Sequence, residues 1–246
     1  MNLLAKDIQS ASRIGKAAMS CFNKRFQTSV ELVPQLYFYY FSQVAPNLEP
    51  LQLCAKMALK GFNTALSRGE TKTALANALQ HIKSCFFAGE KLPTILEMVD
   101  LHLKLADQYK NNMANSLLCI FRETVSALID RGESTSSKPK DEITNAFSSV
   151  TNYRHCAIQA YWLGHSERCH YYVSKVASDT RFEHLGSIVL TFLHGLSAFQ
   201  LLKKNNTAKL RTIPRSAIAA LKTAASHSEW NFRNKVHLLE AENYSF

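Results

Sequence analysis

Apolar residues recur at the spacing of an amphipathic helix along almost the whole chain. One segment places Leu51, Cys54, Ala55, Ala58 and Phe62 on one helix face, because they follow the i, i+3, i+4, i+7 rule. The same spacing returns in residues 74–86, 92–103, 113–128, 169–176 and 185–199. Each such helix has to bury its apolar face against another helix, so the pattern predicts an all-α fold.

Glycine and proline stand between these segments, where helices begin and end. Only 8 Gly and 6 Pro occur in 246 residues, whereas an all-β sandwich needs a turn about every 8–12 residues. Gly69, Gly89, Gly132 and Gly164 follow periodic segments and suit left-handed caps at helix C-termini. Short turns of this kind predict antiparallel helix hairpins in units of about 34–45 residues, which are typical of tetratricopeptide-like solenoids. We therefore expect an antiparallel helix-hairpin solenoid of about ten or eleven helices.

One polar segment divides the chain into two parts. Residues 132–148 are rich in Ser and Thr, so we expect a loop or linker there. Residues 1–131 and 149–246 are then N-terminal and C-terminal helical repeats, stacked into one continuous superhelix. The serines of residues 134–137 are open to phosphorylation, although an unmodified linker is the simpler expectation. A second polar break at residues 203–214 separates two late helices.

The cysteines and the basic N-terminus bear on the cellular compartment. None of the six cysteines pairs as CxxC or lies at zinc-ligand spacing from a histidine pair. We expect reduced, buried thiols in a cytoplasmic protein, with disulfides as the alternative. Residues 1–25 carry five basic side chains and one acidic side chain. A first repeat helix with a charged outer face explains them, and an organelle-targeting peptide is the alternative.

The longest apolar stretch falls short of a membrane span. Residues 185–202 are interrupted by Ser187, Thr191, His194 and Ser197. Since a span needs about 18 or more predominantly apolar residues without such interruptions, we expect none.

The motifs of the common catalytic and nucleotide-binding sites do not occur in the sequence. These are the phosphate loop GxxxxGK[ST], the dinucleotide motif GxGxxG, the kinase motifs HRD and DFG, HExxH and GxSxG. Each mechanism needs its fixed spacing, because that spacing places the reacting groups. We expect the nine histidines to be hydrogen-bonded or exposed, and His165, Cys169 and His170 form no recognised zinc signature. The sequence predicts a protein that is not an enzyme and holds no cofactor or metal.

A run of bulky residues at 36–41 marks a first candidate partner surface. Its members cannot all face one side of a helix. They either fill an inner helix that is packed on both sides, or they leave an aromatic patch exposed as an interface. The candidate partner-binding residues of this segment are Tyr37, Tyr39 and Tyr40.

A basic stretch near the C-terminus marks a second candidate surface. Residues 203–235 contain eight Lys and Arg side chains and one acidic residue, Glu229. Such a stretch binds an acidic partner, anionic lipid or nucleic acid, or else forms a solvated helix face. Nucleic acid is the least favoured, because aromatic side chains are not interleaved with the charges. The candidate residues are Lys203, Lys204, Arg211 and Arg215.

Several segments together resemble a known family. Residues 36–41 (LYFYYF), 45–52 (APNLEPLQ), 193–198 (LHGLSA) and, most specifically, 231–242 (NFRNKVHLLEAE) carry the resemblance. They are similar to the tetratricopeptide-like helical region of large multidomain signalling kinases. In that family a Ser/Thr-kinase-like domain and an AAA-type, STAND-like predicted ATPase precede the helical region, and a GAF domain and a histidine kinase follow it. The matches run from roughly residue 11 to residue 243.

The resemblance implies a role in two-component-type signal transduction without catalysis in this chain. It covers only the helical region, so no kinase or ATPase motif is carried over, and Asn47-Leu48 replaces the family's Trp-containing turn. We expect a module for protein–protein interaction or interdomain coupling, with a kinase or ATPase polypeptide as partner. The first alternative is a fragment of, or regulatory partner for, a larger ATPase or histidine kinase. The others are an enzyme whose site is formed by distant residues and a basic-surface nucleic-acid binder.

Overall fold

The computed structural model describes residues 8–25, 32–130, 146–176, 184–205 and 207–245. These residues form an all-α protein with eleven α-helices and no β-strand among them, which confirms the predicted fold class. A π-helical turn (Tyr40–Val44) and a 3₁₀ turn (Ala45–Asn47) join α2 to α3. The helices are α1 (Ile8–Arg25), α2 (Val33–Tyr39), α3 (Leu51–Ser67), α4 (Thr71–Ala88), α5 (Leu92–Gln108), α6 (Asn112–Ile129), α7 (Ala146–Trp162), α8 (Ser166–Val176), α9 (His184–Lys204), α10 (Ala208–His227) and α11 (Glu229–Tyr244).

Left-handed caps close several of these helices and turn the chain into the next one. Gly89 has a φ of 87°, which costs glycine nothing because it has no Cβ. The N–H groups of Gly89 and Glu90 donate to carbonyls in the last turn of α4, at 3.2 and 3.1 Å. Gly69 and Gly164 follow α3 and α7 with the same conformation, so the predicted caps are confirmed at these positions. Gly132 lies outside the described residues.

The turn between α5 and α6 adopts the same conformation with a lysine. Lys110 has a φ of 51°, and its N–H donates to the carbonyl of Asp107 at 2.9 Å. The N–H of Asn111 donates to the carbonyl of Ala106 at 2.8 Å. The Asn111 side chain then accepts from the N–H of Ala114 at 3.0 Å and caps the start of α6. A Cβ in this backbone conformation costs about 1 kcal/mol.

The chain divides into two compact units, residues 1–119 and 120–246. The division falls inside α6, N-terminal to the polar segment predicted as a linker at residues 132–148. That segment lies outside the described residues up to residue 145, and α7 begins at Ala146. Each unit has a core of its own.

An aromatic cluster forms part of the core of the first unit. The buried rings of Tyr37 and Phe41 meet edge to face with their centres 5.6 Å apart, and those of Tyr40 and Phe41 with centres 4.9 Å apart. Phe22 from α1 and Cys54 from α3 pack into the same cluster. Edge-to-face pairs contribute about 0.5–1.5 kcal/mol beyond the burial of their area. Much of the bulky run therefore serves internal packing.

A buried asparagine ties α4 to α2 in the first unit. Asn77 is fully buried, and its Nδ2 donates to the carbonyls of Pro34 at 2.9 Å and Thr73 at 3.0 Å. The amide lies against the backbone of α3 at Gly61, where an added Cβ would be 2.4 Å from Asn77 Oδ1. The close approach of α3 and α4 therefore requires glycine at position 61.

Helix α9 is central to the second unit. It packs against α7, α8, α10 and α11. Phe199 of α9, Leu221 of α10 and Leu239 of α11 are among the largest fully buried side chains. At Gly195 an added Cβ would lie 2.9 Å from the Cβ of Ala217, so α9 and α10 pack with their backbones close together.

The break between α9 and α10 is shorter than the sequence predicts. The polar sequence predicts a break over residues 203–214, but α10 already begins at Ala208. Thr207 caps this helix, because its hydroxyl accepts from the N–H of Leu210 at 3.3 Å. Pro214 lies inside α10. A proline lacks the N–H for one intrahelical bond, but the helix continues on both sides of it.

One stretch of α9 has the length and hydropathy of a membrane-spanning helix. Leu185–Lys204 is 20 residues long with a mean hydropathy of 1.6 over its most apolar window. In this fold 67% of that window is buried inside the protein. A helix surrounded by other helices has to be apolar on most of its faces, so the central position of α9 explains its composition.

Candidate functional site

A groove runs along α9 in the second unit, between α8 and α10. It encloses a cavity of about 610 Å³, which lies within the range of about 300–1,000 Å³ for ligand sites. The α9 side chains that line it are Ser187, Leu190, Thr191 and His194. The neighbouring helices contribute Val173 and Val176 from α8 and Thr212, Ile213, Ser216 and Ala217 from α10.

The polar α9 residues that line the groove share one face of that helix. Ser187, Thr191 and His194 are spaced i, i+4, i+7, so they lie above one another on the helix surface. The Thr191 hydroxyl donates to the carbonyl of Ser187 at 2.9 Å. Its hydrogen is thus satisfied within the helix, and its oxygen still has acceptor capacity. The groove combines apolar contact area with a few hydrogen-bonding groups, as binding sites do.

Two histidines meet beside this groove. His194 Nε2 lies 3.0 Å from His170 Nδ1 of α8, so one ring donates an N–H and the other accepts it. Burial, assisted by the charge of His170, lowers the pKa of His194 from 6.5 to about 4. His194 is therefore neutral at pH 7. This pair could not be predicted from the sequence, because the two residues are 24 positions apart on different helices and no local spacing signals them.

The structure pairs two of the predicted basic residues with carboxylates. Lys203 Nζ lies 3.8 Å from Glu242, and Lys204 Nζ lies 3.4 Å from Glu167. Exposed ion pairs of this kind stabilise a fold by about 1 kcal/mol at most, but they reduce the positive charge of the surface. Residues 203–235 themselves contain only Glu229 as a counter-charge, because the carboxylates that pair with these lysines come from α8 and from later in α11.

The other predicted partner-binding residues do not line the groove. Tyr37 and Tyr40 are 5% and 8% exposed in the core of the first unit, whereas Tyr39 is 61% exposed. Arg211 and Arg215 are exposed on α10, next to positions that line the groove but not among them. Tyr39 and the two arginines thus have side chains accessible to a partner, as do the exposed Lys203 and Lys204.

The buried cysteine thiols show no sign of nucleophilic activation. All six cysteines are free. Burial raises the pKa of Cys54 to about 12, and it raises the pKa of Cys156 and of Cys169 to about 11. Thiols with such pKa values stay protonated at pH 7 and react slowly, because the thiolate is the nucleophile.

Another buried histidine lies in the first unit. His102 is 5% exposed and packs edge-on against Phe62, with ring centres 4.9 Å apart. Burial, assisted by the charge of His81, lowers the pKa of His102 from 6.5 to about 4. Among the residues that the structure describes, no three His, Cys, Asp or Glu side chains lie together as metal ligands.

Comparisons with known proteins identify no relative. No protein-family model, no curated protein and no solved structure matches the chain. The resemblance to the helical region of multidomain signalling kinases therefore stays a prediction.

Proposed function

We propose that the chain is a non-catalytic helical module that binds a partner protein through the groove along α9. The observation that carries this proposal is the face of Ser187, Thr191 and His194, which lines a cavity of about 610 Å³. The partner segment is a short amphipathic helix, bound in the helix-in-groove mode in which an apolar face fills a hydrophobic groove.

The groove is about two helical turns long. From Ser187 to His194, α9 rises about 10 Å at 1.5 Å per residue. A partner helix lying along it would present side chains at i, i+3, i+4 and i+7 to the same length of groove. The cavity holds these anchor side chains, whereas the partner's backbone stays outside. Leu190 and Val173 supply apolar contacts, and the Thr191 oxygen supplies an acceptor at the rim.

The chemistry of the groove supports binding rather than catalysis. No carboxylate, lysine or cysteine occurs among the described residues that line it. His194 is neutral at pH 7 and bonded to another imidazole instead of a nucleophile. A general base needs a substrate proton or a nucleophile within hydrogen-bond reach and a pKa near the working pH. The buried thiols, with their raised pKa values, supply no nucleophile either.

We place this module in signal transduction, on the support of the sequence resemblance alone. In the kinase region that this chain resembles, a tetratricopeptide-like helical region lies between an ATPase and a GAF and histidine-kinase part. By analogy the hairpins of this chain form a solenoid, and its partner is a kinase or ATPase polypeptide. The alternative, supported by the same sequence segments, is that the chain is part of a larger ATPase or histidine kinase, or a regulatory partner for one.

A displayed library of amphipathic helical peptides, selected against the purified chain, tests the groove. The affinity of selected peptides is then measured by fluorescence anisotropy for the unchanged chain and for Ser216→Arg. Ser216 is exposed at the wall of the groove. An arginine there leaves the fold intact and blocks the anchor side chains of the partner helix from entering the groove. We expect the affinity to fall at least about tenfold, as for the loss of a central interface contact.

Ser226→Arg is the matched control, because it makes the same change at an exposed position of α10 that does not line the groove. We expect its affinity to stay within about twofold of the unchanged chain. Peptides that bind the chain and both variants equally would place the binding surface elsewhere and contradict the proposal.

A further inference from the structure

The α10 side of the groove is bordered by positive charge. This helix supplies Thr212, Ile213, Ser216 and Ala217 to the lining. Since successive residues of an α-helix are turned by about 100°, Arg215 lies about 60° from Thr212 around the helix, just outside the lining face. Its side chain is exposed. The guanidinium of Arg215 therefore lies at the rim of the groove, within reach of a bound partner and outside the cavity.

A second arginine extends this positive border. Arg211 is exposed one turn before Arg215, and residues at i and i+4 lie about 6 Å apart along a helix axis. We call Arg211 and Arg215 the arginine rim. No Asp or Glu occurs among the described residues that line the groove. The lining therefore provides no negative charge that would offset the arginine rim.

Arg215 differs from four other basic side chains of the second unit, because those four are paired with carboxylates. The pairs are Lys203 with Glu242, Lys204 with Glu167, Lys222 with Glu240 and Arg233 with Glu229. In the part of the chain that the structure describes, no carboxylate lies within ion-pair distance of Arg215. Its charge is thus available to a carboxylate of a partner, and an arginine can bind both oxygens of a carboxylate at once.

The lining next to the arginine rim favours a protein partner over a nucleic acid. Leu190, Val173 and Ile213 contribute aliphatic surface to the cavity, which suits the apolar anchors of a helix. No Phe, Tyr or Trp occurs among the described lining residues, whereas proteins that bind single strands stack bases on such rings. We propose, on the basis of the helix-in-groove binding proposed above, that the partner helix is acidic along one edge and pairs its carboxylates with Arg211 and Arg215.

The positions of the acidic residues on the partner follow from the cost of burying charge. A carboxylate inside the cavity would lose its hydration, and no Lys or Arg occurs among the described lining residues to pair with it. Carboxylates therefore occupy the edge of the partner helix that runs beside α10, and apolar side chains occupy the face that enters the groove. Two acidic residues at i, i+3 or i, i+4 match the spacing of the arginine rim. Attraction at a rim acts mainly on the association rate and weakens as salt is added.

Peptides from the displayed helical library are the probes. Those that bind the unchanged chain and Ser226→Arg, but lose affinity for Ser216→Arg, bind in the groove. Both variants add one positive charge, so the difference between them is steric. We expect Glu or Asp to be enriched along one edge of these peptides. For such an acidic peptide, we expect an affinity for Arg215→Glu about fivefold below that for the unchanged chain in low salt, chiefly through slower association, and a smaller difference in about 0.5 M salt.

Exchanging the charges on both sides of the contact identifies the paired groups. A peptide with Lys in place of the acidic edge residues is expected to bind Arg215→Glu more tightly than it binds the unchanged chain. Arg233→Glu is the matched control, because it makes the same change in charge at an exposed position of α11 that does not line the groove. We expect its affinity for the acidic peptide to stay within about twofold of that of the unchanged chain.

Three results would overturn the acidic partner and leave the groove binding in place. Groove-binding peptides without an acidic edge would be the first. Equal loss of affinity in Arg215→Glu and Arg233→Glu would assign the effect to net charge. Displacement of the acidic peptide by a mixed-sequence DNA duplex at the same concentration would assign the arginine rim to phosphate groups. By contrast, selected peptides that all bind Ser216→Arg as tightly as the unchanged chain would contradict the groove binding on which this proposal depends.

Discussion

Replacing Gly61 by alanine is expected to destabilise the first unit, although alanine is the better helix former. Alanine gains about 1 kcal/mol in helix propensity over glycine. Its Cβ, however, would lie 2.4 Å from Oδ1 and 2.8 Å from Cγ of Asn77. If the amide moves away, it loses its bonds to the carbonyls of Pro34 and Thr73, each contributing about 1 kcal/mol. If it stays, overpacking costs about 1–3 kcal/mol.

The net expectation is a loss of about 1 kcal/mol in the free energy of unfolding, because a cost of about 2 kcal/mol exceeds the gain of about 1 kcal/mol in helix propensity. Urea denaturation followed by far-ultraviolet circular dichroism measures it. Asn77→Ala is the second arm of the experiment, because it removes the amide that the new methyl group meets. In that background, Gly61→Ala is expected to be neutral or to stabilise by about 1 kcal/mol. A stabilising Gly61→Ala in the unchanged chain, or the same loss in both backgrounds, would refute the packing argument.

Two further predictions concern pH and a strained turn. Burial holds the pKa of His102 at about 4, below its value of 6.5 in the unfolded chain. The contribution of the neutral, buried imidazole to the free energy of unfolding is therefore complete above about pH 6.5, and it is lost as the pH falls toward 4. Because burial also lowers the pKa of His194 to about 4, both the unchanged chain and His102→Leu lose free energy of unfolding between pH 7.5 and pH 5. Urea denaturation is expected to show a loss about 2 kcal/mol smaller in His102→Leu, and an equal loss in both would contradict this. Lys110→Gly is expected to raise the free energy of unfolding by about 1 kcal/mol, because φ is 51° at this residue. Lys104→Gly, exposed within α5, is expected to lower it by about 1 kcal/mol, and a loss in both variants would contradict the conformational argument.

The helices could be predicted from the sequence because their apolar spacing is a local property. Gly69, Gly89 and Gly164 could be predicted as caps for the same reason, since the left-handed position that follows a helix is most often occupied by glycine. The turn at Lys110 carries no such signal, because lysine is rarely left-handed. Pro214 suggested a break where α10 continues, since one missing hydrogen bond did not outweigh the packing of the helix.

The candidate site was only partly visible in the sequence. Ser187, Thr191 and His194 appeared as interruptions of an apolar stretch, and their i, i+4, i+7 spacing was a readable sign that they share one helix face. The contact of His194 with His170 and the pairing of Lys204 with Glu167 had no such sign. They depend on which helices pack together, and that is decided by the burial of whole helix faces and not by local spacing.

The central claim is that the groove along α9 receives an amphipathic helix of a partner. Methyl-resolved NMR on the isotope-labelled chain, titrated with a helical peptide selected on the purified chain, tests it most directly. The claim predicts that the largest shifts fall on Val173, Leu190 and Ile213, one from each helix that lines the groove. Largest shifts on methyl groups of the first unit, with these three unchanged, would contradict it.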